Sequence, residues 1–163
     1  MKKIKNQFII FASVLALVTV VIIIIYKDFQ ATEEVGNFQK SKFSAESLNS
    51  IEGVYLTDIE YMQDDRLVGC TLKNNTNDTI YYGEQFFLEK QINGEWYEIP
   101  YSYKIPWTYQ LNYLEPSTCT EISVQIDIWM LLQKGNYRLI KEVFLSERLS
   151  DVYPISSPNF KLK

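Results

Sequence analysis

Hydrophobic and polar residues divide the chain into two parts of different character. Residues 8–26 form an uncharged run of 19 residues directly after Lys2, Lys3 and Lys5, and 14 of the 19 are Phe, Ile, Leu or Val. A helix rises about 1.5 Å per residue, so a run of this length nearly crosses a hydrocarbon layer of roughly 30 Å. The pattern predicts a single transmembrane signal-anchor helix over residues 8–26.

A cleaved secretory signal is the alternative interpretation of this run. Such signals have an apolar stretch of roughly 7–15 residues followed by small residues at the cleavage site. Here the stretch is longer and ends in Ile25-Tyr26-Lys27. Ala31 is small, but Phe29 occupies the position two residues before it, which fits a cleavage site poorly. We therefore expect the helix to remain attached, with secretion after signal cleavage as the alternative.

The charges on either side of the run predict its orientation. Residues 1–7 carry lysines without an acidic neighbour, and positive charge remains on the cytoplasmic side. Residues 27–163 hold 13 of the 16 Lys and Arg and all 20 Asp and Glu, a formal charge of −7. We expect a single-pass protein of the cell membrane, with a cytoplasmic basic tail (1–7) and an extracellular C-terminal domain. The acidic charge argues against nucleic acid, which requires clustered cations.

The segment 27–50 is polar, and its sparse apolar residues follow neither a strand nor a helix period for long. We interpret it as a flexible polar linker that holds the domain away from the membrane. A short helix or a leading strand within it is the alternative. The domain itself is then predicted to span residues 51–163.

Residues 51–163 have the pattern of short strands joined by turns. Apolar and polar residues alternate over 67–73 and again over 122–127. Asn93-Gly94 separates two strand-like segments, the second of which contains Trp96, and this is the strongest short-range hairpin signal. Roughly 110 residues suffice for one small domain with a single core.

Two further segments complete this pattern. Residues 128–133 resemble a single helical turn between two strands, and residues 159–163 predict a final edge strand. The pattern as a whole predicts an all-β fold, an antiparallel β-sandwich preceded by a single N-terminal transmembrane helix.

Five short motifs follow one another within about residues 54–145. They are Thr71–Thr76, Tyr82–Lys90, Asn93–Pro100, Leu114–Pro116 and Lys134–Leu139. The series resembles a family of bacterial immunoglobulin-like domains found in small exported or membrane-anchored proteins, mostly of Gram-positive bacteria. The resemblance implies the sandwich fold and an external location, and it implies no established activity. One departure is Pro116-Ser117-Thr118, where the family often has Pro-Gly-Glu.

The resemblance also assigns a structural role to Tyr137. This residue follows a turn at the start of a late strand, and it resembles the tyrosine corner that ties such sandwiches together.

The composition excludes several kinds of catalytic site. The chain contains no histidine, so it cannot form a Ser-His-Asp or Cys-His catalytic system or a histidine-containing zinc site. Its two cysteines are too few for an all-cysteine zinc site. We expect no enzyme activity, no cofactor and no bound metal.

The two cysteines could form a disulfide in an oxidising exterior. However, successive residues of a strand face opposite sides. Cys70 is two residues from both Val68 and Leu72, so it is expected to point inward with them. Cys119 is odd-numbered, whereas the inward Ile122 and Val124 are even-numbered, so Cys119 is expected to point outward. We therefore expect a buried, structural Cys70, with the disulfide as the alternative.

The connection 101–113 is rich in aromatic residues, the type that dominates protein contacts and sugar stacking. Packing into the core or over a sheet edge is the competing interpretation. If the loop forms a functional surface, Tyr103, Trp107 and Tyr109 are its candidate partner-binding residues.

These observations predict a non-enzymatic, membrane-anchored binding module that contacts a protein partner or a component of the cell envelope. The alternative is an immunoglobulin-like proteinase inhibitor held at the membrane. Small bacterial inhibitors with such a sandwich are similar in the order of their strands and turns. Lys104-Ile105-Pro106 is the candidate segment for the loop that an inhibitor would present to a protease.

Overall fold

The computed structural model describes residues 15–26, 38–108, 110–130 and 132–162. Residues 15–26 are helical. Among the described residues, no helix has both the length and the hydropathy that a membrane crossing requires. The predicted basic tail, the first part of the predicted membrane segment (8–14) and residues 27–37 of the predicted linker lie outside the described residues.

The chain divides into two compact units, and the second of them, Phe38–Lys163, contains the β-sandwich. Its strands are β1 (Gln39–Lys40), β2 (Val54–Met62), β3 (Leu67–Asn74), β4 (Ile80–Tyr82), β5 (Phe87–Ile92), β6 (Glu95–Glu98), β7 (Asn112–Leu114), β8 (Thr118–Gln125), β9 (Gly135–Phe144), β10 (Val152–Ser156) and β11 (Phe160–Leu162). A short 3₁₀ helix (Ile126–Ile128) follows β8.

All of the strand pairs are antiparallel, and they form two sheets. The small sheet has the order β2-β3-β8. The large sheet has the order β1-β6-β5-β9-β4-β7, and β10 and β11 also pair with β9. The ten-residue β9 is therefore the central strand of the large sheet, with β4 and β5 along one side and β10 and β11 along the other. The predicted all-β sandwich is confirmed.

The core lies between the sheets and is built by alternation. In β3 every second residue is buried, which confirms the pattern read from residues 67–73. Leu72 has no exposed surface, and β9 supplies Tyr137, Leu139 and Val143, also fully buried, from the opposite sheet. Burying a large apolar side chain contributes about 1.5–3 kcal/mol, so Leu72→Ala would cost about 2–5 kcal/mol.

The predicted hairpin at Asn93-Gly94 is confirmed. Both residues have positive φ, +51° and +85°, as a type I′ turn requires. The turn sets the register of β5 and β6, with Ile92 opposite Glu95.

The compact unit that contains the sandwich begins at Phe38, so it includes residues 38–50 of the segment predicted as a linker, in which a leading strand was the alternative. β1 extends the edge of the large sheet by pairing with β6. The Phe43 ring meets the Phe87 ring edge-on at 5.3 Å between centroids. The Asn49 N–H donates to the Pro154 carbonyl at 2.9 Å. Phe43 of this segment thus packs on Phe87 of β5, whereas Phe38 packs against the core.

Two elements near the C-terminus differ from the sequence pattern. The helical turn expected at 128–133 is a 3₁₀ helix at Ile126–Ile128. The expected final strand is confirmed as β11, but β10 was not predicted, because Pro154 argues against a strand. β10 accommodates this proline because, among the described strands, it pairs with β9 alone.

Candidate functional site

The connection between β6 and β7 carries the predicted partner-binding residues. We call residues 101–111 the aromatic loop, since Asn112 and Tyr113 of the predicted connection belong to β7. The ring of Tyr101 stacks on Trp129 at 5.7 Å between centroids and meets Trp107 edge-on at 5.5 Å. Such aromatic pairs contribute about 0.5–1.5 kcal/mol beyond their burial. Tyr101 thereby anchors the start of the loop.

The Tyr101 hydroxyl fixes the loop to the large sheet by donating a hydrogen bond to the Phe86 carbonyl. Burial raises the pKa of Tyr101 to about 12, so the hydroxyl remains protonated and able to donate. At the other end, the Thr108 hydroxyl donates to a carboxylate oxygen of Glu84 at 3.0 Å. The loop is therefore held near both ends, although its described residues form no helix or strand.

The segment predicted for protease inhibition is turned rather than extended. The Trp107 N–H donates to the Ile105 carbonyl at 2.9 Å, which closes a tight turn at Pro106. Lys104 is exposed, but the Ile105 side chain is half-buried. A substrate-like loop needs an extended backbone that can pair with the protease. This geometry does not favour the inhibitor interpretation.

The three predicted binding residues have different positions. Tyr103 is 59% exposed. Trp107 is half-buried, with its ring against Tyr101. Tyr109 lies outside the described residues. Tyr103 and Trp107 thus lie on one loop, one projecting from it and the other forming its base.

Trp107 separates two clefts. The first, which we call the β8 cleft, has a volume of about 420 Å³ and lies between the aromatic loop and β8. Its lining includes Tyr82, Phe86, Ile122, Ile128 and Lys141. The second, the loop cleft, has about 450 Å³, and its lining includes Ile105, Leu111, Phe144 and Leu149. Trp107 and Glu84 line both clefts, so the same indole contributes to two concave surfaces.

Lys141 lies at the wall of the β8 cleft and is 1% exposed. Its ammonium donates to the carbonyls of Gly83 and, at 3.0 Å, Gln85, and lies 4.0 Å from the centroid of the Phe86 ring. Burial lowers the pKa of Lys141 to about 7, against the opposing effects of Cys70, Glu84 and Glu142. A buried amine fixed by two carbonyls organises the cleft wall.

No metal-binding group lies near the aromatic loop or elsewhere in the described ranges: no three His, Cys, Asp or Glu residues are placed to hold an ion. The site consists of aromatic, aliphatic and hydrogen-bonding side chains. Such a surface can bind through burial and stacking.

The residues assigned structural roles lie apart from the aromatic loop. Tyr137 is fully buried, and its hydroxyl donates to the Gln133 carbonyl at 2.6 Å, four residues upstream. Cys70 is buried and Cys119 exposed, and both are free thiols. Burial raises the pKa of Cys70 to about 11, which leaves the thiol protonated and unreactive. The half-buried Trp96 stacks under Arg138, 4.2 Å from its guanidinium carbon.

Sequence reasoning missed Lys141 and the polar outer face of the large sheet. Periodicity could have identified Lys141, because it shares the parity of the buried Leu139 and Val143. On the outer face, Glu89 is fully buried and pairs with Arg138. Charged residues at strand positions ordinarily indicate a solvated face, so the sequence carries no signal for Glu89.

Comparison with known proteins gives one family and several similar structures. The archaellum periplasmic stator protein complex FlaF and FlaG from Sulfolobus acidocaldarius has 18% identity and a TM-score of 0.43, over 75% of this chain and 100% of that chain. The archaellum periplasmic stator protein FlaG from the same organism has 19% identity and a TM-score of 0.39, over 66% and 99%. No curated protein matches the chain.

The family match covers most of the sandwich. The sequence profile of the family described as "Bacterial Ig-like domain" matches residues 48–156, about two thirds of the chain. These residues extend from just before β2 to the end of β10 and include the aromatic loop and both clefts beside it. The chain therefore belongs to the bacterial immunoglobulin-like domain family.

Proposed function

We propose that this chain is a non-enzymatic, membrane-anchored binding module whose extracellular domain contacts a protein partner through the aromatic loop. The observation that carries the proposal is the position of Trp107 between two clefts, on a loop fixed by Tyr101 and by the Thr108–Glu84 hydrogen bond. A fixed loop loses little conformational entropy on binding, so its contacts contribute more to affinity. Tyr103, exposed on the same loop, supplies a further aromatic contact.

The membrane anchor in this proposal is the uncharged run 8–26 behind three lysines. Its support within the described residues is the helix at 15–26, whose large apolar side chains are exposed, Leu17 to 68%. Exposed side chains of this kind favour a lipid environment. The proposed topology places the N-terminus in the cytoplasm and the domain outside the cell.

Site-specific photo-crosslinking on the full chain in its native membrane tests the proposal. A benzophenone amino acid replaces Tyr103, and in a matched control it replaces Tyr55, which is 42% exposed on β2 of the small sheet. We expect a discrete protein adduct from position 103 that is absent from position 55. The adduct should disappear when Trp107→Ala is added to a chain that still folds.

Equal adducts from both positions, or an adduct from position 103 that survives Trp107→Ala, would remove the aromatic loop as the binding surface. The anchor is tested separately, by whether carbonate washing releases the chain from membranes. Release into the supernatant would contradict a transmembrane anchor.

A further inference from the structure

Among the strands that the structure describes, β8 is an edge strand that pairs with β3 alone. Its register is continuous over eight residues, from Asn74 opposite Thr118 to Leu67 opposite Gln125. The other side of β8 faces the β8 cleft, which is lined by six consecutive residues of the strand, 120–125. At about 3.3 Å per residue, this side presents an edge of roughly 20 Å.

The direction of the free backbone groups follows from one hydrogen bond. The Ile126 N–H donates to the Arg66 carbonyl at 2.9 Å, which continues the register of β3 and β8 by one pair. Hydrogen-bonded pairs alternate in an antiparallel ladder, so the even-numbered residues of β8 bond to β3. The N–H and C=O groups of residues 119, 121, 123 and 125 therefore point away from β3. Within the described part of the chain, no hydrogen bond to another segment reaches these groups.

The even-numbered and the odd-numbered side chains of β8 lie on opposite faces of the strand. Val124 is buried and Ile122 half-buried, facing the large sheet, whereas Glu121 and Ser123 are exposed on the outer surface. In a strand added to β8, alternate side chains would enter the cleft beside Trp107 and the others would align with Glu121. The lining of the cleft includes aromatic and branched apolar groups together with polar ones such as Glu84, Thr120 and Lys141. A cation directly opposite Glu121 is favoured.

We propose that the partner of this domain contributes an extended segment that pairs with the free edge of β8, with apolar side chains at alternate positions and cations between them. This inference rests on the proposed function, because it assigns the binding mode of the same surface. Backbone pairing supplies affinity, and the side chains in the cleft supply specificity. Trp107 then forms the wall of the cleft opposite β8.

The probe is a fluorescein-labelled synthetic peptide in which three lysines and three isoleucines alternate. The protein is the full 163-residue chain, held in detergent micelles. The control peptide has the same composition in two blocks, three lysines followed by three isoleucines. Two further peptides carry N-methyl groups on one alternate set of backbone amides or on the other. We expect binding of the alternating peptide, loss on methylating one set, and retention on methylating the other.

Ser123 provides a matched pair of variants. Ser123→Pro removes an outward N–H without breaking the ladder to β3, and Ser123→Ala keeps it. One lost hydrogen bond corresponds to about tenfold weaker binding, so we expect that loss for Ser123→Pro and none for Ser123→Ala. Near-UV circular dichroism checks both folds, and the N-methyl peptides give the same test if Ser123→Pro does not fold.

Equal binding of the alternating and block peptides, or equal effects of the two methylations, would overturn strand pairing. Self-association of the chain that Ser123→Pro abolishes, with no peptide binding, would overturn the partner assignment and identify a second copy as the occupant. The crosslink from position 103 reports separately on the proposed function. If it forms and depends on Trp107 while no peptide binds, the surface is correct and the pairing with β8 is wrong.

Discussion

The carboxylate of Glu89 and the guanidinium of Arg138 form an ion pair across β5 and β9, with 2.6 Å between Oε2 and the nearest nitrogen. The Glu89 side chain has no exposed surface and that of Arg138 is 12% exposed. The Nε and a terminal nitrogen of Arg138 both contact Oε2, and among the described residues Oε1 has no hydrogen-bond partner. Arg138 is therefore the group that compensates this buried charge.

Arg138→Ala is expected to lower the free energy of unfolding by about 3–5 kcal/mol, because it leaves the Glu89 carboxylate buried without a partner. Urea denaturation followed by tryptophan fluorescence measures the change. Glu95→Ala, which removes the partner of the exposed Lys40, is the matched control and should cause little change. A loss for Arg138→Ala as small as that of the control would show that water reaches Glu89.

Lys141 is expected to make stability rise with pH. Its pKa is lowered by burial from 10.5 to about 7, so between these values the unfolded state binds a proton that the folded state does not. The free energy of unfolding then increases with pH, by up to about 1.4 kcal/mol per unit. Urea denaturation at pH 7, 8 and 9 tests this, before the raised pKa of Cys70 adds the opposite slope.

Lys141→Met is the control for that titration, since it retains the length of the side chain without the charge. The difference between the two chains isolates Lys141 from the other groups. Parallel curves for both chains from pH 7 to 9 would contradict a lowered pKa at Lys141.

Ser117→Gly is expected to stabilise the domain. Ser117 has a φ of +57° in the turn between β7 and β8, at the position where the sequence departs from the Pro-Gly-Glu pattern. A left-handed backbone conformation destabilises a residue that has a side chain by about 1–2 kcal/mol. Glycine avoids this cost, but its unfolded state has more conformational freedom, which offsets part of the gain in stability. We expect a net gain of about 0.5–1 kcal/mol in thermal or urea unfolding. Ser117→Ala keeps the Cβ atom and should give no gain; an equal gain would disprove the explanation.

Asn74→Ala is expected to destabilise the domain by about 3 kcal/mol, since it leaves buried backbone groups without partners. Asn74 is fully buried at the end of β3. Its amide donates to the carbonyls of Asp78, Leu114 and Glu115 at 2.8, 3.0 and 3.1 Å, which ties two turns together.

Asn77→Ala, in the same turn but exposed, is the matched control and should change the unfolding free energy by less than about 0.5 kcal/mol. Chemical denaturation of both variants measures the contrast. If both variants lose a similar amount of unfolding free energy, then Asn74 stabilises the domain through its turn propensity and not through its buried amide.

The sequence predicted those features that depend on neighbouring residues. The alternation in β3 and the turn at Asn93-Gly94 follow from local periodicity and backbone preference, and both are present. β1 was not predicted, because its pairing partner β6 lies far along the chain, and β10 was not predicted, because Pro154 argues against a strand. Only the folded sheet shows that Gln39 lies opposite Glu98 or that Pro154 lies opposite Glu142.

The candidate site was predictable only in part. The density of aromatic residues located the loop, but composition could not distinguish the exposed Tyr103 from the half-buried Trp107. Whether an aromatic side chain points outward in an irregular loop depends on contacts such as those with Tyr101 and Glu84, which have no periodic signal. The free edge of β8 depends on sheet order, which one sequence does not specify.

The short pairing of β1 also has a mechanical consequence. A pulling force on the N-terminal end of the domain acts first on β1, whose register with β6 consists of two residue pairs. The force breaks the hydrogen bonds of these two pairs one after another, so we expect β1 to detach from β6 while the core remains folded. Once the Phe43–Phe87 and Asn49–Pro154 contacts also break, residues 38–50 would form a free segment of at most roughly 40 Å at 3.3 Å per residue. Tension would thereby extend the reach of the domain before it unfolds, as in an extensible tether.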